Sequence, residues 1–297
     1  MPFKSGFVTI VGRPNVGKST LLNRLVGEKI AITTNKPQTT RNRIQGIYSD
    51  ADSQIIFLDT PGIHKPKHRL GELMVESATR TFNEVDLILL MMDESPEIGP
   101  GDRYILDMMA QVKTPVVLVI NKVDLIAPDV FKKIYDTYAA LPFVKEVFGI
   151  SAVKDETVEP LLNRIKSYLE EGPPYFPMDM VTDQPERALV AELIREKALM
   201  YLDEEIPHGI AVEIEQMKER PGGALVDISA VIVCEKDSHK GIVIGKQGRK
   251  LKGIGKSARE DIEALLGSKV FLELHVKVRS GWRDNEGLLK NYGFRRE

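Results

Sequence analysis

Residues 8–20, VTIVGRPNVGKST, constrain this chain more than any other stretch. A short apolar run, Val8-Thr9-Ile10-Val11, reads as a buried strand. It leads into Gly12-Arg13-Pro14-Asn15-Val16-Gly17-Lys18-Ser19, and Thr20-Leu21-Leu22-Asn23-Arg24-Leu25-Val26 then takes helical spacing. Strand, glycine-bounded loop and helix start are the setting in which G-x-x-x-x-G-K-S/T makes a phosphate cradle. Gly12 and Gly17 let the backbone turn so that successive N–H groups face phosphate oxygens. The helix adds its positive dipole end. Lys18 supplies a point charge, and the Ser19 hydroxyl is placed to ligate Mg²⁺.

At 297 residues the chain is expected to hold two domains. Hydrophobic content of 42% and charged content of 28% are ordinary for a globular protein. The single cysteine, Cys234, sits in an apolar run and is expected as core filler; an intramolecular disulfide is excluded. The first expected strand begins within a few residues of Met1, which leaves no room for a secretory leader, and no apolar run approaches a membrane span. A cytoplasmic protein is therefore expected, with at most peripheral contact at the inner face of the cell membrane. The net charge of −2 conceals a contrast: residues 173–239 hold six Lys/Arg against fourteen Asp/Glu, whereas residues 240–297 hold fourteen against seven. A basic segment of that kind suits a polyanion.

Apolar runs at 54–58, 85–92, 116–120 and 145–150 read as strands, and 70–83, 102–111, 129–141 and 158–169 as helices. Residues 46–48 with 53–58 suggest an antiparallel hairpin. Alternation of this kind predicts an α/β domain with a mostly parallel sheet and helices on both faces. Three prolines in Pro173-Pro174-Tyr175-Phe176-Pro177 end it, so the expected division is a first domain at 1–172, a semi-rigid linker at 173–184 and a second domain at 185–297. Beyond the linker the elements are expected in the order α-β-β-α-α-β, an α+β domain.

The loop 12–19, Thr40, Asp59-Thr60-Pro61-Gly62, Asn121-Lys122-Val123-Asp124 and Ser151-Ala152 follow one another just after strand ends. A carboxylate such as Asp124 accepts from both N1–H and the 2-amino group of guanine, while adenine offers nothing matching. This motif order resembles that of P-loop GTPases, and with the downstream domain the whole chain resembles the bacterial Era family. The resemblance implies an intrinsically slow GTPase with GTP/GDP and Mg²⁺ as ligands. Gly12, Arg13, Pro14, Asn15, Val16, Gly17, Lys18, Ser19, Thr20, Asp59, Thr60, Pro61, Gly62, Ile63, Asn121, Lys122, Val123, Asp124, Ser151 and Ala152 would form its nucleotide site. Lys18, Thr40, Asp59, Gly62 and Asn15 would act on hydrolysis, with Ser19, Thr40 and (through a water) Asp59 at the metal. In such sites the Lys122 stem lies along the purine and the Ala152 N–H reaches O6. Thr39 and Thr40 both stand where a switch loop closes on Mg²⁺; the resemblance favours Thr40, and the sequence leaves Thr39 open. Ile63 occupies the place where many GTPases keep a water-orienting glutamine, and it cannot hydrogen-bond. Asn15 matches an asparagine that helps hold K⁺ beside the phosphates in related enzymes, or else it only shapes the loop.

Gly245-Lys246-Gln247-Gly248, followed by Arg249, Lys250, Lys252, Lys256 and Arg259, is the second signature. A G-x-x-G turn between an apolar segment and a basic helix resembles the KH loop that clamps single-stranded nucleic acid, in the type II arrangement. Ile242 and Ile244 are expected as the floor under bases, and Gly245, Lys246, Gln247, Gly248, Arg249, Lys250 and Lys252 as the clamp. The resemblance implies RNA rather than DNA: the 3′ end of small-subunit ribosomal RNA and the small ribosomal subunit as partners, with a monomeric protein. Trp282, Arg283, Asp284, Tyr292, Phe294, Arg295 and Arg296 either touch RNA or pack the last helix, and packing is the expectation. The reading is a GTP-hydrolysing switch controlling an RNA-binding domain in small-subunit assembly. Its alternatives are an RNA-binding assembly chaperone with a structural GTP site and a membrane-peripheral cell-cycle GTPase.

Overall fold

The computed structural model describes residues 2–36, 38–66, 68–203 and 206–294; Lys67, Arg295 and Arg296 lie outside the described residues. The first half builds strands β1 (Lys4–Gly12), β2 (Ile44–Ser49), β3 (Ser53–Asp59), β4 (Leu87–Met92), β5 (Val116–Ile120) and β6 (Val144–Gly149). They form a six-stranded sheet in the order β2-β3-β1-β4-β5-β6. Only β2 runs antiparallel, paired with β3 in the expected hairpin. Helices α1 (Lys18–Val26), α2 (Arg69–Arg80), α3 (Pro100–Met109), α4 (Pro128–Ala139) and α5 (Asp155–Tyr168) cover both faces. The expected helix over 70–83 is α2 followed by a tighter turn at Thr81–Asn83.

Strands buried on both faces need continuous apolar sequence, and β4 (LILLMM) and β5 (VVLVI) supply it. Successive residues then serve opposite layers. Leu87, Leu89, Val117 and Val119 meet Leu21 and Leu161 on one side, while Ile88, Leu90, Leu118 and Ile120 meet Phe82, Ile105 and Ile134 on the other. The carboxyl ends of β1, β3 and β5 therefore share one edge, where open α/β sheets bind ligands.

The second half forms α6 (Glu186–Tyr201), β7 (Ala211–Glu219), β8 (Leu225–Cys234), α7 (Asp237–Ile244), α8 (Arg249–Leu266) and β9 (Lys269–Val278), the expected α-β-β-α-α-β order, and ends in α9 (Glu286–Asn291). Its three strands lie in sequence order, β7 antiparallel and β9 parallel to β8. One sheet face packs on α6 and α8 through Ile194, Ala198, Ile228, Ile232, Ile254 and Ile262, with Cys234 in that core. The other face carries Val231 and Val233, which meet Leu70 and Met74 of α2 together with Trp282, Leu289 and Phe294. The proline-rich segment is tied along the first sheet: Tyr175 and Phe176 donate their N–H groups to Gln54 at 2.7 and 2.9 Å, and Ile47 donates to the Val181 carbonyl at 2.9 Å. No helix among the described residues is long and apolar enough to cross a membrane.

Candidate nucleotide site and nucleic-acid groove

The end of β1 and the start of α1 frame a cavity of about 710 Å³ lined by Pro14, Asn15, Gly17, Lys18, Ser19, Thr20 and Thr40 on one side and Asn121, Lys122, Asp124, Ser151 and Ala152 on the other. Gly17 sits at φ 104°, and a Cβ there would lie 2.2 Å from the Asn121 amide nitrogen, so the loop accepts no side chain at this point. Lys18 is buried, its Nζ donating to the Gly12 and Arg13 carbonyls at 3.2 and 2.8 Å. Burial lowers its pKa to about 8 against the attraction of Asp59. A buried cation held only by neutral carbonyls is poised for an anion.

Beside it three oxygens converge. The Ser19 hydroxyl donates to Asp59 Oδ2 at 2.7 Å, and Thr40 Oγ1 lies 2.7 Å from Ser19 Oγ and 3.2 Å from Asp59 Oδ2. Asp59 is fully buried; burial raises its pKa, opposed by Lys18, and its Oδ1 is without a hydrogen-bond partner. An orphaned carboxylate oxygen next to two hydroxyls fits a hard divalent cation such as Mg²⁺. Of the two threonines Thr40 faces this corner, whereas Thr39 Oγ1 turns away, to Thr34 Oγ1 at 2.8 Å and the Lys36 carbonyl at 2.6 Å.

The remaining expected residues divide into those facing the cavity and those that build its walls. Gly62 lies against Pro14, where a Cβ would approach the Pro14 nitrogen to 2.6 Å. Thr60 is buried and donates to the Ile10 carbonyl, Pro61 and Val16 are buried, and Val123 packs into the core. Ile63 is fully buried in the cluster of Phe82 and Ala78 and does not line the cavity. Arg13 leaves the loop altogether to pair with Asp102 and Asp93. Asn15, at φ 66°, donates to the Asn35 carbonyl at 2.9 Å, which brings the loop and the segment before Thr40 together. Asn121 bridges the Val16 carbonyl at 2.8 Å and the Ala152 N–H at 2.9 Å. The Ala152 N–H, expected to reach O6, here donates to Asn121, which holds the 151–152 loop in place. Lys122, left-handed at φ 61°, reaches Glu94 at 3.3 Å. The exposed Asp124 is held below the usual carboxylate range chiefly by the Ser151 hydroxyl beside it.

In the second half, Gly245, Gln247 and Gly248 all take left-handed backbone, at φ 71°, 52° and 73°, turning α7 into α8. The concavity that follows, about 770 Å³, lies between α8 and β9. Gly248, Arg249 and Lys252 line it, joined by Lys256, Arg259, Leu251, Phe271, Leu272 and Leu274. Phe271 is half exposed, an aromatic surface beside four cations. Gly245, Lys246, Gln247 and Lys250 adjoin Gly248 and Arg249 in sequence and do not line it. Of the expected floor, Ile242 is exposed on α7 and Ile244 packs partly into the core, while the apolar lining of this concavity comes from α8 and β9.

Residues 7–122 match the family described as "50S ribosome-binding GTPase", and residues 205–283 match "KH domain". The chain is 60% identical to GTPase Era of Alkaliphilus oremlandii (strain OhILAs) over 294 residues, covering 99% of this chain and 100% of that protein. It is 61% identical to GTPase Era of Clostridioides difficile (strain 630) over 293 residues, covering 98% and 99%. The chain belongs to the GTPase Era family. Among Era structures, a complex with MgGDPNP and nucleotides 1506–1542 of 16S ribosomal RNA superposes with a TM-score of 0.94 at 43% identity, covering 98% of this chain and 99% of that one.

In this Era-family chain the loop that carries Thr40 is also held by the second domain. Arg41 is buried and donates to the carbonyls of Ile210, Pro207 and His208, the last two at 3.2 and 3.0 Å, with its guanidinium 5.7 Å from the Trp282 ring centre. Burial pushes its pKa down to about 9, so it keeps its charge at neutral pH. From α6, Arg195 donates to the Thr39 carbonyl, and Glu196 accepts from the Thr33 N–H at 2.9 Å and from Lys29 at 2.7 Å. Arg41, Arg195 and Glu196 were not legible as functional residues. The available signal was a pair of charges in α6 at positions whose neighbours on the helix are core residues.

Proposed function

We propose that the protein is a GTP-hydrolysing switch that binds single-stranded small-subunit ribosomal RNA near its 3′ end and acts in assembly of the small ribosomal subunit in the cytoplasm. Lys18 and the backbone of the 12–19 loop bind the phosphates, Asp124 selects guanine, and Ser19, Thr40 and Asp59 hold Mg²⁺. Mg²⁺ held by these residues would supply positive charge against the charge that develops as the terminal bond breaks. Gly62 offers its N–H to the γ-phosphate. The basic groove between α8 and β9 takes the RNA: phosphates meet Arg249, Lys252, Lys256 and Arg259, and bases meet Phe271 and the leucines. The RNA target rests on the similar Era protein solved with 16S ribosomal RNA nucleotides.

The observation that carries the reading is that adjacent residues serve both domains: Thr40 at the metal corner, Arg41 in the second domain's carbonyls. Loss of the γ-phosphate frees the first and thereby loosens the second. The test is RNA binding by the full chain when nucleotide-free, with GDP and with a non-hydrolysable GTP analogue, using a short strand from the 3′ end of small-subunit ribosomal RNA. Lys252→Glu and Gly245→Asp serve as groove controls. Tight binding confined to the GTP-like state, and lost in both variants, is expected. Equal binding in all three states would leave the assembly-chaperone alternative, with the GTP site structural. Asn15 beside the Asn35 carbonyl supports K⁺ as a further ligand; equal turnover in K⁺ and Na⁺ would remove it.

A further inference from the structure

With Ile63 buried in the core, the residue after Asp59-Thr60-Pro61-Gly62 cannot orient a water, yet the next two side chains in space are fixed by each other. His64 Nδ1 lies 3.0 Å from the Gly62 carbonyl oxygen, and His64 Nε2 lies 3.2 Å from Gln38 Nε2. A carbonyl only accepts, so the Nδ1 atom carries the proton, and in a neutral ring Nε2 is then the acceptor. Gln38 must therefore present its NH₂ to the histidine, which turns its Oε1 to the opposite side of the amide. Gln38 lines the nucleotide cavity together with Thr40, Gly62 and Lys18. Its backbone is left-handed, at φ 60°, a conformation that a glutamine keeps only where its surroundings impose it. Side chain and backbone are both constrained at the phosphate end of the cavity.

We propose that Gln38 orients the attacking water for GTP hydrolysis, with His64 as the positioning residue that fixes the glutamine amide. The inference rests on the GTPase reading above. Gln38 Oε1 accepts one hydrogen of the water and so directs an oxygen lone pair at the γ-phosphorus. The new oxygen–phosphorus bond forms as the bond from γ-phosphorus to the β–γ bridging oxygen breaks. That electron pair leaves on GDP, and the water's proton ends on inorganic phosphate. An amide oxygen is too weak a base to take that proton, so the contribution of Gln38 is orientation. Gly62 serves both partners: its N–H would meet the γ-phosphate while its carbonyl, in the next peptide, holds His64, so the pair is aligned where the phosphate would be gripped.

The test is single-turnover hydrolysis of Mg-GTP by the full chain in K⁺ buffer, with the affinity for a non-hydrolysable GTP analogue and the melting temperature measured on each variant. Gln38→Ala is expected to lower the rate by about 10- to 100-fold while the affinity stays within about twofold. His64→Phe should match it, and His64→Gln, which keeps an acceptor near the Nε2 position, should recover most of the rate. The double variant Gln38→Ala/His64→Phe should be no slower than Gln38→Ala alone, because the two act as one unit. A wild-type rate in Gln38→Ala, equal losses of rate and affinity, or additive losses in the double variant would each overturn the proposal. Absence of GTP hydrolysis by the unmodified chain would instead defeat the GTPase reading, and this inference with it.

Discussion

Lys18 answers to two opposed demands. Packed among the Gly12 and Arg13 carbonyls, its ammonium has lost water, and its pKa falls from 10.5 to about 8. A folded-state pKa below the unfolded one means that the nucleotide-free fold gains stability as pH rises from about 8 toward 10.5. Bound phosphates favour the charged form, so nucleotide binding takes up a proton above pH 8, and affinity weakens as pH rises, by at most about tenfold per unit. Calorimetric titration of GDP at pH 7 and 9 in buffers of different ionisation enthalpy reads both effects; pH-independent affinity without proton uptake would refute them. Ile63 makes the complementary point. Since it fills the core beside Phe82, Ile63→Gln should leave hydrolysis no faster and cost about 2 kcal/mol in denaturant unfolding, because the amide is buried without partners. A faster enzyme of unchanged stability would show that this position reaches the phosphates after all.

At the scale of elements, α6 does more than its pattern announces. Val190, Ile194 and Ala198 seat it on its own sheet, as an amphipathic helix should sit. Its charged residues Arg195 and Glu196 are buried too, because the 29–40 segment closes over them: Arg195 holds the Thr39 carbonyl, and Glu196 holds the Thr33 N–H and Lys29. Arg195→Ala should therefore speed amide exchange across residues 30–40 while α1 stays protected, at a stability cost of about 2 kcal/mol. Unchanged exchange in that segment would mean that α6 is a bystander. The same element explains what sequence could and could not supply. The strands β4 and β5 and the 12–19 loop were legible because apolar runs and a fixed glycine spacing have few structural solutions. The partners of Arg195 were not, since a long-range contact to a backbone carbonyl leaves no trace in composition. Nor was the apolar lining of the basic concavity between α8 and β9. Phe271, Leu272 and Leu274 alternate as any half-buried strand does, whereas Ile242 and Ile244, next to the G-x-x-G turn, looked nearer to the clamp.

Across the whole molecule, the segments that follow Thr40 and Gly62 converge on one side chain. Trp282, the only tryptophan of the chain, is fully buried between Leu70 and Met74 of α2 and Leu289 and Phe294 near the end, with Arg41 lying over its ring. Its Nε1 donates to the Gly209 carbonyl at 3.0 Å, next to the Ile210 carbonyl that receives Arg41. In the proposed switch the γ-phosphate would act on this contact through Thr40, directly before Arg41, and through Gly62, a few residues before α2. Two charge-assisted contacts worth about 1.5–3 kcal/mol each are comparable with the ~5.5 kcal/mol needed to move an equilibrium from 99:1 to 1:99. Docking of the second domain is thus within reach of a single phosphate. Intrinsic fluorescence should report it directly: red-shifted emission and easier quenching by acrylamide with GDP than with a non-hydrolysable GTP analogue. Arg41→Met, which keeps the bulk over the indole but loses the carbonyl bonds, should shift emission toward the GDP position in both states. If Trp282 is equally shielded with GDP and with the analogue, the domains stay docked through the cycle. Coupling between nucleotide and RNA would then have to run through the 29–40 segment and α6 alone.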